Sequence, residues 1–147
     1  MIKEFVTIAI VEDNPDDVEL TLHALEKNNI VNPVEVLRDG QDAIDYLFYT
    51  GKYSNSTHQL PGLILLDLKL PKVDGIDILR KIKGDRRRKI IPVVVLTSSK
   101  EERDLIESYD LGVNSYIRKP VDFDQFVNTV KQVGFYWLLL NESPLVR

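Results

Sequence analysis

Five short apolar runs, each separated from the next by a stretch with helical spacing, constrain this chain more than any other feature. "FVTIAIV" (5–11), "VEVLR" (34–38), "GLILLD" (62–67), "IPVVVLT" (91–97) and "SYIRK" (115–119) read as strands. Asn14-Pro15 offers an N-cap and a proline at the first helical position, ahead of Val18, Leu22 and Leu25 in a helix running to 28. "DAIDYLFY" (42–49) carries Ala43, Ile44, Leu47 and Phe48 at helical spacing, and "IDILRKIK" (76–83) carries Ile78, Leu79 and Ile82. Ser99 and Glu102 have the spacing of a capping box before Leu105, Ile106 and Tyr109. Asp122 and Gln125 suit the start of a last helix with Phe123, Phe126, Val127, Val130, Val133 and Trp137 on one stripe. Leu20 falls off the main stripe of its helix and is expected at the surface. Apolar strands alternating with helices predict an α/β fold, a doubly wound parallel sheet covered on both faces. Such a sheet binds its ligand beyond the carboxyl ends of the strands.

The 147 residues suffice for one domain with a proper core. Hydrophobic residues make up 44% and charged residues 29%, the balance of a soluble globular chain. A net charge of -4 argues against nucleic-acid binding, which needs a basic face. The chain has no cysteine, which excludes disulfides, thiolate catalysis and cysteine zinc sites. No apolar run approaches the roughly 18 residues of a membrane span, and the N-terminus lacks a signal-peptide pattern. A cytoplasmic protein without membrane attachment is expected.

The strand ends hold the residues capable of chemistry. The first ends at Glu12-Asp13, the third at Asp67, the fourth at Thr97-Ser98 and the fifth at Lys119-Pro120. In a doubly wound sheet these ends share one edge, so three carboxylates, hydroxyls and one ammonium converge. Carboxylates about 4–6 Å apart repel one another, and a divalent cation relieves that repulsion. Oxygen-only ligands suit magnesium rather than zinc. A carboxylate-held metal beside a lysine is an environment for phosphoryl transfer. No glycine loop follows the first strand to cradle a nucleotide, and "VEDNPDD" would repel one. The phosphoryl group is therefore expected on the protein itself, with Asp67 the best-placed carboxylate nucleophile.

These residues resemble the receiver domain of two-component response regulators almost from end to end. The matches are "VED" (11–13), "LLDLKLPKVDG" (65–75), "VVLTSS" (94–99) and "SYIRKP" (115–120). The resemblance implies the flavodoxin-like strand order 2-1-3-4-5 and phosphorylation of Asp67 by a sensor histidine kinase. It implies that Asp13, Asp67 and the main-chain carbonyl of Lys69 bind Mg2+, with Glu12 acting through a metal-bound water. Thr97 would hydrogen-bond the phosphoryl oxygen, Lys119 would neutralise it, and Lys119-Pro120 would be a cis peptide. Tyr116 would take the space that Thr97 leaves, as the switch. Such a chain is no enzyme acting on a separate substrate, but a phosphoacceptor that assists its own phosphorylation and dephosphorylation. Within the family, "VLRDGQDAIDYLFYTGKY", the polar connection after it and "FYW" (135–137) resemble the small response regulators that partner bacterial phytochrome kinases.

The rest of the chain qualifies this reading. "GDRRRK" (84–89) is expected to be a solvated loop, and His23 and His58 lack catalytic neighbours. "FYWLLLN" (135–141) is apolar on nearly every side, which predicts a homodimer through the last helix, the fourth helix and the fifth strand. Residues 1–147 are expected to form a single receiver with an extended C-terminal helix and no output domain. The alternative to a terminal regulator is a relay intermediate that passes its phosphoryl group to a histidine phosphotransfer partner. An aspartyl-phosphate phosphatase would need a second aspartate where Lys69 stands. A flavin-binding fold is disfavoured by the acidic first loop.

Overall fold

A computed structural model describes residues 6–119 and 122–134. Five parallel strands, β1 (Ile8–Val11), β2 (Val34–Leu37), β3 (Leu63–Leu66), β4 (Val93–Thr97) and β5 (Ser115–Arg118), form one sheet in the order β2-β1-β3-β4-β5. The helices are α1 (Pro15–Lys27), α2 (Gly40–Phe48), α3 (Gly75–Lys83), α4 (Glu102–Asp110) and α5 (Phe123–Gly134). The expected fold class and strand order are those observed. Among the described residues, no helix is long and apolar enough to cross a membrane.

Period-two alternation along strands that are apolar at every position builds two cores. Ile8 and Ile10 of β1, with Leu63 and Leu65 of β3, pack against Ala24, Leu25, Phe126 and Val130 of α1 and α5. Ala9, Val11, Ile64 and Leu66 point the other way, to Ala43 and Leu47 of α2 and Ile78, Leu79 and Ile82 of α3. Helix α4 lies beside α3 and β5. In α1 the buried residues are Val18, Thr21, Ala24 and Leu25, while Leu22 is half-buried. Leu20 is also half-buried and packs against the α1/α5 core, not at the open surface.

Helix starts follow local chemistry. The Asn14 side chain accepts from the Asp16 and Asp17 amides at 2.9 and 3.3 Å, the expected cap of α1. Asp39 caps α2 through the Asp42 amide at 2.7 Å, so this helix begins two residues before the expected span. Asp122 accepts from the Gln125 amide at 3.1 Å at the start of α5. Ser99 is not the N-cap of α4 that the spacing predicts. The N-cap of α4 is Glu101, without a side-chain cap bond. The Ser99 hydroxyl instead donates to Asp104 at 2.5 Å and accepts from the Glu101 amide at 3.3 Å.

One other segment differs from expectation, and another is packed more tightly than its polar sequence suggests. In "GDRRRK", Arg88 is not a solvated charge. Its Nε donates to the Leu47 carbonyl at 2.5 Å and its guanidinium lies 4.3 Å from the centre of the Phe48 ring. In the polar connection after α2, the His58 ring is sandwiched between Tyr46 and Tyr49, with centroids 4.1 and 4.5 Å away. Its Nε2 pairs with the Tyr46 carbonyl at 2.9 Å. This histidine packs a loop, consistent with the absence of a catalytic role. The apolar 135–141 stretch, the tail, Val133's side chain, Trp137 and Pro120 lie outside the described residues or side chains.

Candidate functional site

Glu12, Asp67 and Lys119 each follow the last residue of a strand, and their backbones extend the ladder by one bond. The Asp67 amide donates to the Val11 carbonyl at 3.0 Å, the Glu12 amide to Leu37 at 3.0 Å and the Lys119 amide to Thr97 at 2.8 Å. These bonds fix where three strands release their side chains, at the carboxyl edge of the sheet. Oxygen atoms of Glu12, Asp13 and Asp67 lie within 4.8 Å of one another. Asp13 is exposed, whereas Glu12 and Asp67 are buried.

Lys119 crosses from β5 into this group. Its ammonium contacts Glu12, and lies 2.8 Å from Asp17 and 3.3 Å from Asp67. Asp17 is a partner that the strand-end reasoning missed. It sits in the first turn of α1, and the packing of that helix against the sheet brings it to Lys119. The acidic "DD" after Asn14-Pro15 was its available signal.

The charges are unevenly balanced. Burial pushes the Glu12 carboxyl up to about 7, the Lys119 ammonium opposes this, and the Asp67 charge adds to it. Burial alone would lower the Lys119 ammonium, but Asp17, Glu12 and Asp67 together hold it raised. One ammonium thus serves a cluster of carboxylates and cannot neutralise them all. An oxygen-only donor set with excess negative charge and an exposed Asp13 on its open side fits a hard divalent cation.

Beyond β3 the chain turns sharply. Lys72 takes φ 70°, and the Val73 amide donates to Pro71 at 2.9 Å. The Gly75 amide closes the turn onto the Leu68 carbonyl at 2.9 Å. A Cβ on Gly75 would lie 2.4 Å from both the Asp67 carbonyl oxygen and Leu68 Cα, so only glycine fits there. The Lys69 amide donates to Asp67 Oδ1 at 3.1 Å, which orients the carboxylate. Thr97 is fully buried, and its hydroxyl accepts from the Ser99 amide at 3.2 Å. Ser98 is exposed and Ser99 buried. Tyr116 packs its ring against the α2/α3 core, and its buried hydroxyl has no hydrogen-bond partner among the described residues.

The description of the family model that matches residues 8–131 is "Response regulator receiver domain". The chain belongs to this family. Several solved receivers resemble it closely over nearly their whole length. The phosphorylated cyanobacterial phytochrome response regulator RcpA is 43% identical, covers 95% of this chain and 99% of its own, and superposes with TM-score 0.83. The Mn(2+)-bound form of response regulator Rcp1 is 40% identical with TM-score 0.83 over 95% and 99% of the two chains. Rcp1 comes from Synechocystis sp. (strain ATCC 27184 / PCC 6803 / Kazusa). The bacteriophytochrome response regulator AtBRR is 54% identical with TM-score 0.77 over 95% and 100%. The protein is accordingly a response regulator with the receiver fold of these small regulators.

Proposed function

We propose that Asp67 is the phosphoacceptor of this receiver and that a sensor histidine kinase is its phosphodonor. The observation that carries the reading is the Asp67 carboxylate itself, set at the end of β3 among Glu12, Asp13 and Lys119. In the transfer, an Asp67 carboxylate oxygen forms a bond to phosphorus while the donor's P–N bond breaks. The imidazole leaves with the electron pair and takes up a proton. Lys119, already in contact with Asp67, neutralises charge on the arriving phosphoryl oxygens. Thr97 exchanges its Ser99 contact for one of those oxygens, and Tyr116 moves into the space it leaves. The phosphoryl group adds about -1.5 to -2 charges. A few charge-assisted hydrogen bonds of roughly 1.5–3 kcal/mol each suffice to invert a two-state equilibrium.

Asp13, Asp67 and the main-chain carbonyl of Lys69 would hold Mg2+, with Glu12 acting through water. When bound, the cation screens the carboxylates and the incoming phosphoryl oxygens. The phytochrome names of RcpA and AtBRR support a phytochrome-type kinase as donor. This receiver, cytoplasmic and dimerising through the last helix, α4 and β5, acts through protein contacts. It does not bind nucleic acid or membrane. It assists its own phosphorylation and dephosphorylation and turns over no separate substrate.

The test is incubation with magnesium and acetyl phosphate, followed by intact-mass analysis. Wild type gains one phosphoryl group and Asp67→Asn gains none. Equal labelling of the two overturns the assignment.

A further inference from the structure

Helix α4 starts without a side-chain cap, yet its first turn is held. We infer that Lys69 is a positioning residue whose ammonium clamps the start of α4 to the phosphoacceptor loop through Asp104, and that a phosphoryl group on Asp67 draws it away. This rests on Asp67 being the phosphoacceptor.

The geometry joins the two sites in few steps. The Lys69 amide already donates to Asp67 Oδ1 at 3.1 Å. At the other end of the same residue, Nζ lies 3.7 Å from both Asp104 Oδ2 and Glu101 Oε1. Asp104 is a buried acid, 8% exposed. It accepts from the Ser99 hydroxyl at 2.5 Å, and Lys69 is its one ion-pair partner among the described residues. Ser99 in turn accepts from the Glu101 amide and donates its own amide to Thr97. Among the described residues, α4 is also held by the Arg80–Glu107 ion pair from α3. The helix is thus fixed at its start by polar contacts that converge on Asp104, while Ile106 and Tyr109 remain exposed.

Phosphorylation sets up a competition. The new dianion forms on the residue whose carboxylate already accepts from the Lys69 backbone. The Lys69 side chain is half exposed, on a flexible four-carbon stem, and free to turn toward it. Removing the ammonium leaves Asp104 buried with only a hydroxyl donor, an arrangement that favours hydration of the carboxylate. The first turn of α4 then loosens. Because coupling is reciprocal, loosening that turn also favours the phosphorylated state.

The experiment is hydrogen exchange of the segment 99–108 in the free protein and with magnesium plus beryllofluoride, a non-covalent phosphoryl mimic. Wild type, Lys69→Met, Lys69→Arg, Asp104→Asn and the Lys69→Met/Asp104→Asn double variant are compared, with exchange in β1 as the control for global stability. In free protein, Lys69→Met and Asp104→Asn each speed exchange of the segment about fivefold, the low end of ordinary site-to-site coupling. Lys69→Arg restores wild-type protection, and the double variant exchanges no faster than either single one. Beryllofluoride speeds exchange in wild type but not in Lys69→Met. Wild-type protection of free Lys69→Met, or additive effects in the double variant, overturns the clamp. Failure of wild type to label with acetyl phosphate would overturn the phosphoacceptor reading instead, and the free-protein comparison would still decide the clamp.

Discussion

Replacing Gly75 with alanine puts a methyl group into the backbone that carries Asp67. The added carbon would stand 2.4 Å from the Asp67 carbonyl oxygen, 2.4 Å from Leu68 Cα and 3.0 Å from Leu68 C. All three obstacles are main chain, and that main chain is pinned by the Asp67 amide to Val11 and by the Gly75 amide to Leu68. No side chain can swing aside, so relief requires a backbone shift approaching 1 Å, and the cost belongs at the top of the overpacking range, about 3 kcal/mol. Alanine's better helix propensity and the narrower unfolded ensemble return about 1 kcal/mol. The expected net loss is about 2 kcal/mol, which lowers the urea midpoint by about 1 M for an ordinary slope. Gly84→Ala is the control at the other end of α3. There the nearest obstacle is the Arg80 carbonyl at 3.1 Å, and φ is -84°. It should be neutral within about 0.5 kcal/mol. Urea unfolding of both variants decides the matter. A Gly75→Ala variant as stable as Gly84→Ala would show that the turn behind Asp67 yields easily, and would refute the close-approach reasoning.

Four further outcomes are expected. Lys119→Met leaves Glu12, Asp17 and Asp67 without their shared cation. Magnesium should therefore raise its melting temperature more than that of wild type, as read by thermal-shift titration, while acetyl phosphate labelling falls. Asn14→Ala removes the acceptor for the Asp16 and Asp17 amides and should cost about 1 kcal/mol in urea unfolding. Arg88→Ala loses the Leu47 and Asp85 bonds and the Phe48 contact together and should cost about 2 kcal/mol, against under about 0.5 kcal/mol for exposed Arg87→Ala. The Asp42 amide, with Lys72 beside it, holds the Asp39 carboxyl below its usual 3.8. Its ionised form thus favours the fold above 3.8, and that contribution disappears as pH falls through the lower folded value. Asp39→Asn should flatten this acid limb in a series of unfolding curves.

Strand positions were legible because a parallel sheet buried on both faces demands apolar residues at successive positions, and few other structures do. The end of each run then located Glu12, Asp67, Thr97 and Lys119. Asp17 was not legible, because it reaches Lys119, 102 residues away in sequence, only through the way α1 packs on the sheet. The α4 start was misread for a related reason. Ser99 and Glu102 have capping spacing, but the Ser99 hydroxyl accepts from the Glu101 amide instead and donates to the buried Asp104 carboxylate. Arg88 was hidden in a run of basic residues that look alike in sequence, and only the neighbouring Leu47 carbonyl and Phe48 ring single it out.

These misreadings share a physical cause that bears on how such a switch is built. Hydrophobic burial is non-directional and follows local sequence pattern, so it places strands and helices robustly. The ion pairs of Asp17 and Asp104 join elements far apart in sequence, and with the Ser99 contacts they depend on angles that no local pattern encodes. They are also the contacts that a new charge on Asp67 would disturb first, since Asp17 and Asp104 lie two polar links from it and Ser99 three. The apolar cores beneath Asp67 have no such coupling to its charge. A receiver can therefore keep a rigid sheet while α4 and the end of β4 rearrange, because the two rest on different kinds of interaction.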